Sequence, residues 1–518
     1  MKNFFFSLSD VPFWKKAFAA FFLGALLAAT LAPVHAIFFL PVCFSGLLLL
    51  VSNITTRWQA FFTGWWFGWG FHIAGLYWIG VAFTIDADTY AALLPIPILV
   101  LPACLAIFTG LTTLIIHLLG GRGILRILAF AGIWTGLEYI RGILFTGFPW
   151  NLIGYAWGDM LAMLQWTAFV GIYGLTFLTV LISSIPVILG DTTYSKNNRH
   201  FWILADCCLI ILLVGVGFWR LNAPDLEKFD DMKVKVLQPG NEQKDKWKSG
   251  TRFQHVKRLE DLSRQNPSDA NLLIWPETAV PFFLTTDERI RNYLTRNVPK
   301  NGYLITGAPR RHPIERKYWN SVQALNAQGK IEGIYDKRHL LPYGEYLPLR
   351  SFLKSSGLAS LIPVLDQMSD FSFPDADASD VMAIPGVAPF RVLICYEVTF
   401  PWEVKVDTKF DWILNVTNDA WFGHTSGPYQ HFVISRTRAI EQGVSIVRSA
   451  NKGITAVIDG YGRILKKRSP LEAGAIESSV PAPLSNRTLY FKAGEIIPLS
   501  ICLFSLLPFL IVRLLRRE

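Results

Sequence analysis

The sequence predicts a bundle of about eight membrane-spanning α-helices joined to an α/β domain, and three observations carry that prediction. Of the 518 residues, 52% are hydrophobic and only 17% charged, a balance foreign to a purely soluble chain. Eight stretches approach the roughly 20 apolar residues that let a helix cross a bilayer, where backbone N–H and C=O groups find partners only in the helix itself. From Met232 to about Val480 that pattern gives way to short apolar runs divided by polar, Gly- and Pro-containing connections, which read as strands.

Taken in order, the spans fall near residues 13–32, 35–52, 58–84, 91–119, 125–145, 161–190, 200–219 and 494–512. Lys15 and Lys16 precede the first, Arg57 lies between the second and third, Arg122 and Arg126 between the fourth and fifth, and Lys196 and Arg199 between the sixth and seventh. The intervening loops, 86–88 and 147–159, carry no Lys or Arg. Short cytoplasmic loops retain basic residues, so the basic loops mark the cytoplasmic side. Seven spans then put the segment 221–492 on the opposite side, and Arg513, Arg516 and Arg517 return to the cytoplasm. The expected organisation is a transmembrane domain at 1–220, an extramembrane domain at 221–492, and a last helix with a basic tail at 493–518, both termini being cytoplasmic. A cleaved signal peptide is the alternative at the start, from Lys2, an apolar stretch and the small residues Ala32 and Ala36, and its removal leaves the later topology unchanged.

Positive-inside retention accounts for part of the net charge of +10. No Lys/Arg run with interleaved aromatics occurs, so no nucleic-acid partner is expected. Five of the six cysteines, Cys43, Cys104, Cys207, Cys208 and Cys502, fall in the spans, which leaves Cys395 without a disulfide partner in the large segment. A solitary thiol there is either a small buried hydrophobe or a group kept for its reactivity.

Within the large segment, strands are expected at 233–237, 271–275, 303–307, 321–325, 391–394, 412–415 and 455–458, and helices at 254–264 and 429–443. In open α/β sheets functional groups gather beyond the carboxyl ends of strands. Glu277 follows Leu272-Leu273-Ile274-Trp275-Pro276, Cys395 follows Val392-Leu393-Ile394, and Asn418-Asp419 follow Ile413-Leu414-Asn415-Val416. Lys337 follows a strand-like stretch in Tyr335-Asp336-Lys337-Arg338-His339.

A thiol attacks an ester or amide carbonyl once a base takes its proton, and the thioester formed is a reactive acyl carrier. His255, His312, His339, His424 and His431 lie in this segment, none within a recognisable Cys/His protease signature. A carboxyl desolvated at a strand end has a raised pKa and serves as a base, which makes Glu277 the candidate. Lys337, with the backbone N–H of Tyr396, is the candidate donor to a developing oxyanion. Plainer readings stand beside these: a loop carboxylate after Trp-Pro, a solvated basic face, a core cysteine. Spacing alone leaves both sets open, because contact between distant positions is not readable from order. Neither a metal nor a cofactor is expected, since His424 and His431 lack H-E-x-x-H spacing and no P-loop or dinucleotide fingerprint is present.

Four ordered strings carry a resemblance. Trp275-Pro276-Glu277, Asp336-Lys337-Arg338-His339-Leu340 running to Pro342-Tyr343-Gly344-Glu345-Tyr346, Ile394-Cys395-Tyr396-Glu397, and Asn418-Asp419-Ala420-Trp421-Phe422-Gly423 resemble the nitrilase (carbon–nitrogen hydrolase) superfamily. With the flanking spans, the chain resembles the apolipoprotein N-acyltransferase family of bacterial inner membranes. That resemblance implies an αββα sandwich on the periplasmic side and a Glu-Lys-Cys triad, here Glu277, Lys337 and Cys395. It also implies supporting roles for Glu345, Tyr396 and Glu397, for Trp247 after Gln238-Pro239-Gly240-Asn241, and a site-lining place for Asn418 and Trp421. The implied reaction takes an acyl chain from a phospholipid, typically phosphatidylethanolamine, onto the cysteine and passes it to the α-amino group of the diacylglyceryl-cysteine that begins an apolipoprotein.

Both implied substrates are lipids, and drawing them into water costs roughly 0.8 kcal/mol per CH₂, so a membrane-held enzyme suits them. Trp65, Trp66, Trp69, Trp78, Trp150 and Trp157 sit in the spans or their outer loops, where they either line a lipid entrance or anchor the interface. Two rival functions remain at this level, a membrane-anchored amidase or nitrilase that hydrolyses its substrate, and a transporter or sensor with an unused nitrilase fold. Few charges lie in the spans to mark a transport path, and the main ones, Glu138 and Arg141, also fit a buried structural ion pair.

Overall fold

The computed structural model describes residues 11–191, 194–242, 250–265, 268–355 and 370–515. Two compact units divide the chain: one holds the residues up to 80, 93–224 and those from 488 on, and the other holds 81–92 and 225–487.

The first unit is helical: α1 (Phe13–Ala28), α2 (Phe39–Ser52), α3 (Arg57–Leu76), α4 (Leu101–Leu119), α5 (Gly123–Ile143), α6 (Thr167–Ser184) and α7 (Lys196–Leu221), with Ile496–Leu515 closing the chain. Each stretch read as a span holds a helix. Ser195 starts α7 by accepting the Asn198 N–H at 3.2 Å, and Gly120, at φ 70°, ends α4 where an L side chain is strained. Among the described residues, four stretches are long and apolar enough to cross a bilayer, Ala87–Leu119, Gly123–Thr146, Thr167–Gly190 and Lys196–Leu221. The others fall short for physical reasons. At a rise of about 1.5 Å per residue, the 16 residues of α1 and 14 of α2 reach less than a hydrocarbon core of about 30 Å, and polar and glycine residues interrupt α3.

Small residues bring these helices together. A Cβ on Gly24 of α1 would lie 1.8 Å from the Phe67 carbonyl oxygen of α3, an approach only glycine permits. Thr113 of α4 donates to the Ala60 carbonyl of α3 at 2.8 Å. The tryptophans divide. Trp78, Trp150 and Trp157 are 4%, 1% and 7% exposed, so they are core residues of this unit, and Trp157 donates to the Thr179 hydroxyl at 2.7 Å. Trp65, Trp66 and Trp69 form a ring cluster on α3 that stays partly exposed. Glu138 and Arg141 are both buried, with Arg141 Nη2 3.8 Å from Glu138 Oε1 and Arg141 Nη1 donating to the Trp150 carbonyl at 3.0 Å, the arrangement of a structural ion pair.

The second unit is built on two six-stranded sheets. The first contains β1 (Lys228–Gln238), β2 (Leu272–Ile274), β3 (Tyr303–Arg311), β4 (Tyr318–Asn326), β5 (Ile331–Asp336) and β12 (Gly474–Pro481), in the order β12-β1-β2-β3-β4-β5. The second contains β6 (Val381–Met382), β7 (Phe390–Ile394), β8 (Trp412–Thr417), β9 (Ser445–Ala450), β10 (Thr455–Ile458) and β11 (Ile464–Arg468), in the order β11-β10-β9-β8-β7-β6. Each sheet has three adjacent parallel strands, β1-β2-β3 and β7-β8-β9, with antiparallel strands outside them.

Strand periodicity decides which face meets which layer. Val234, Val236, Leu272, Ile274 and Ile305 of the first sheet face Val392, Ile394, Leu414, Val416 and Val447 of the second in one buried core. Each such side chain contributes about 1.5–3 kcal/mol on burial. The alternate residues Leu237, Leu273, Leu304 and Leu325 pack outward beneath Val256, Leu259 and Leu262 of helix α8 (Arg252–Arg264). Helix α9 (Gly427–Gln442) covers the second sheet, giving helix, sheet, sheet, helix. The expected αββα sandwich is therefore present. The expected strands at 233–237, 271–275, 303–307, 321–325, 391–394, 412–415 and 455–458 all fall on observed ones, the strand-like stretch before Lys337 is β5, and the structure adds β6, β9, β11 and β12. Those four escaped reading because β11 and β12 are polar on their exposed faces, β6 has two residues, and β9 carries Arg448 inside an otherwise strand-like run.

Candidate active site

Sheet direction brings the candidate residues to common edges. β2 leads through Trp275 and Pro276 to Glu277, and β5, two antiparallel steps from β3, runs the same way as β2 and delivers Lys337 at that edge. β4 starts there too and carries Asn320. In the second sheet the parallel strands β7 and β8 end at Cys395 and Asn418.

Lys337 is 2% exposed and its Nζ stands 2.7 Å from Glu345 Oε2. Asn320 joins the two carboxylates, its Nδ2 donating to Glu277 Oε1 at 2.8 Å and to Glu345 Oε1 at 2.9 Å, while the Asn320 carbonyl accepts the Lys337 N–H at 2.8 Å. Glu345 also caps its own loop by accepting the Leu341 N–H at 2.8 Å. Burial alone would pull the Lys337 ammonium down, but Glu345, Glu277 and Cys395 outweigh it and hold the group above its usual range. Lys337 therefore stays charged, with protons to donate.

Cys395 has φ 51°, a left-handed conformation that costs a non-glycine residue about 1–2 kcal/mol and turns the chain sharply off the end of β7. Burial pushes its thiol up and Glu277 pushes it further, against the opposing pull of Lys337. The net direction is upward, which favours the protonated thiol near neutral pH, so any attack by it would need a base. Glu397 clamps the turn. Its Oε2 accepts the Ile394 N–H at 2.7 Å, and its Oε1 accepts from the Tyr335 hydroxyl at 2.9 Å and from the N–H groups of Arg338 at 2.7 Å and His339 at 3.1 Å. One buried carboxylate thus ties the strand before Cys395 to the loop after Lys337. Burial raises the Glu397 pKa, against the pull of Arg391 and these donors.

The other expected residues divide. Tyr396 is buried beside Cys395, its ring 5.0 Å from that of Phe400 and 5.7 Å from that of His339. Asn418 is buried and accepts from Asn451 Nδ2 at 2.9 Å, which makes it a brace between β8 and the loop after β9. Trp421 is 41% exposed on the turn after Asn418. Trp247 lies outside the described residues. Sequence reading missed Asn320, whose position early in a strand carries no signal, and it gave no role to His431 or Arg448. An arginine inside the strand run Ser445–Ala450 was the available signal, because a buried charge requires partners.

Gly307 of β3 lets Glu277 sit where it does. A Cβ there would lie 2.3 Å from Thr278 N and 2.7 Å from Glu277 Cα. Gly307→Ala is expected to displace the Glu277 backbone and slow any reaction that uses that carboxylate on the order of 10²-fold while the sandwich persists. First-turnover rate measured beside the thermal transition checks this, and an unchanged rate sinks it.

The sequence pattern of the apolipoprotein N-acyltransferase N-terminal domain matches residues 23–185, and that of carbon–nitrogen hydrolases matches residues 234–485. An apolipoprotein N-acyltransferase from Rhodopseudomonas palustris is 37% identical over 504 residues, covering 93% of this chain and 92% of its own. The chain belongs to the apolipoprotein N-acyltransferase family. A second member, from Brucella melitensis, is 34% identical over 490 residues, 91% of this chain and 90% of that one. Among solved structures, a carbon–nitrogen hydrolase superfamily protein from Xanthomonas campestris is 18% identical and covers 49% of this chain and 91% of its own, with a TM-score of 0.35.

Proposed function

We propose that this enzyme takes a fatty acyl chain from a phospholipid, phosphatidylethanolamine foremost, and passes it through a thioester on Cys395 to the α-amino group of the diacylglyceryl-cysteine that begins an apolipoprotein. Family membership supports the acyltransferase activity and its lipoprotein context. One arrangement supports the residue assignment: Asn320 joins Glu277 to Glu345, Glu345 pairs with Lys337, and Glu397 ties the strand before Cys395 to the loop after Lys337.

In the first step Glu277 takes the Cys395 proton as sulfur bonds to the ester carbonyl carbon, and Lys337 donates to the oxyanion. Collapse breaks the bond to the glycerol oxygen, which leaves with the proton held on Glu277, and the thioester remains. In the second step the lipoprotein amine attacks, Glu277 takes its proton, and the expelled thiolate recovers that proton. Glu345 and Asn320 orient Lys337 and Glu277, and Glu397 sets the turn bearing the nucleophile. We read the segment 221–492 as periplasmic and both termini as cytoplasmic, from the alternation of basic loops.

Labelled phosphatidylethanolamine and a synthetic diacylglyceryl lipopeptide, incubated with the purified full-length protein, test the transfer. An N-acylated lipopeptide is expected. Free fatty acid with no such product would replace transfer with the hydrolytic reading.

A further inference from the structure

The chemistry above leaves unused a fully buried network behind the nucleophile. We propose that His431 is a positioning residue for acyl transfer: it holds the Cys395 carbonyl, Arg448 holds the His431 ring, and Asp419 holds Arg448. This rests on Cys395 being the acyl carrier.

The Cys395 backbone sits at φ 51° and needs restraint on both sides. Glu397 supplies it on the amino side through the Ile394 N–H at 2.7 Å. On the carboxyl side, His431 Nε2 lies 3.2 Å from the Cys395 carbonyl oxygen and is the donor there. The ring cannot swing. With the ring proton on Nε2, Nδ1 accepts from Arg448 Nη2 at 3.2 Å, and that same Nη2 donates to Asp419 Oδ2 at 2.8 Å, with Asp419 Oδ1 2.9 Å from Nδ1. Thr417 donates to Asp419 Oδ1 at 2.8 Å, and Arg448 Nη1 and Nε donate to Ser435 Oγ at 2.8 Å and the Ile454 carbonyl at 3.1 Å. The side chains of His431, Asp419 and Arg448 are 0% exposed.

Stability alone does not account for such a group of residues. Apolar side chains of equal volume fill a core at least as well as buried ions do, because ions lose hydration that their pairing only partly restores. What the network supplies that a packed core cannot is an N–H donor aimed at one carbonyl, the carbonyl of the nucleophile. It draws on three elements, the turn after β8, helix α9 and strand β9, so the position of Cys395 is tied to the sheet itself.

The test uses full-length protein in phosphatidylethanolamine–detergent micelles and follows first-turnover formation of a hydroxylamine-labile adduct, with a thermal transition for each variant. His431→Gln keeps a donor in reach of the carbonyl, whereas His431→Asn keeps only the side facing Arg448. The maximal rate is expected to fall on the order of 10²-fold in His431→Asn and to return within about threefold of wild type in His431→Gln, with the half-saturating phospholipid concentration unchanged. Equal rates in the two variants, or losses that follow the thermal transition, overturn the proposal. If neither variant folds, Asp419→Asn decides: a slowed maximal rate at unchanged half-saturation supports the proposal and an unchanged rate overturns it. A wild-type protein that forms no adduct defeats the acyl-carrier reading itself, a result distinguishable from wild-type acylation that His431→Asn leaves intact.

Discussion

Cys395→Ala is expected to abolish the acyl adduct and lower N-acylation by about 10⁶-fold, the scale on which removal of a covalent nucleophile acts. Lys337 and Glu277 remain in the variant, but on the proposed route no atom is left to carry the acyl group from donor to acceptor. Intact-mass analysis after exposure to phosphatidylethanolamine gives the measurement: wild type gains one acyl mass that hydroxylamine removes, and the variant gains none. Five other cysteines lie in helices of the first unit, so an adduct that survives in Cys395→Ala would place the carrier elsewhere and defeat the assignment. The fold should be unaffected, because Cys395 is a modest, partly buried member of its cluster.

The second large effect separates the two charged partners of the thiol. Lys337→Ala is expected to slow acylation on the order of 10²–10³-fold through loss of an oxyanion donor. Glu277→Gln is expected to slow it on the order of 10²–10⁴-fold through loss of the base. Turnover alone does not tell these roles apart, but the thiol does. The positive charge of Lys337 favours the thiolate, so its removal raises the Cys395 pKa and moves alkylation by iodoacetamide to higher pH. The negative charge of Glu277 opposes the thiolate, so neutralising it lowers that pKa and moves alkylation to lower pH. Peptide mapping of Cys395 across a pH series reads both shifts. Displacement of the two profiles in the same direction, or of neither, contradicts the electrostatic account.

Much of this molecule is written in local pattern. Apolar length marked each helix of the first unit, and alternating Val, Ile and Leu marked the strands that form the central core. The motif strings located Glu277, Lys337, Glu345, Cys395 and Glu397, all of which the fold brings to the sheet edges. Local pattern was less informative where burial is polar. The layer between the second sheet and α9 holds Asn415, Arg448, Ser435 and His431, residues that hydropathy assigns to a surface. Trp78, Trp150 and Trp157 show the converse, because aromatic residues fit a lipid interface and a packed core equally well until neighbours are known.

Local periodicity and residue type were enough to mark the apolar helices, the strands of the central core and the side chains that are candidates for the chemistry, since both act over a few neighbours. Tertiary structure alone shows that Asn320 joins Glu277 to Glu345, that Glu397 spans from the Cys395 turn to the Lys337 loop, and that His431 faces the Cys395 carbonyl. The physical reason is that these relations are hydrogen bonds between residues 25 to 62 positions apart, set by strand order and direction. No local propensity encodes such a bond, because its partners meet only when the two sheets have paired and packed.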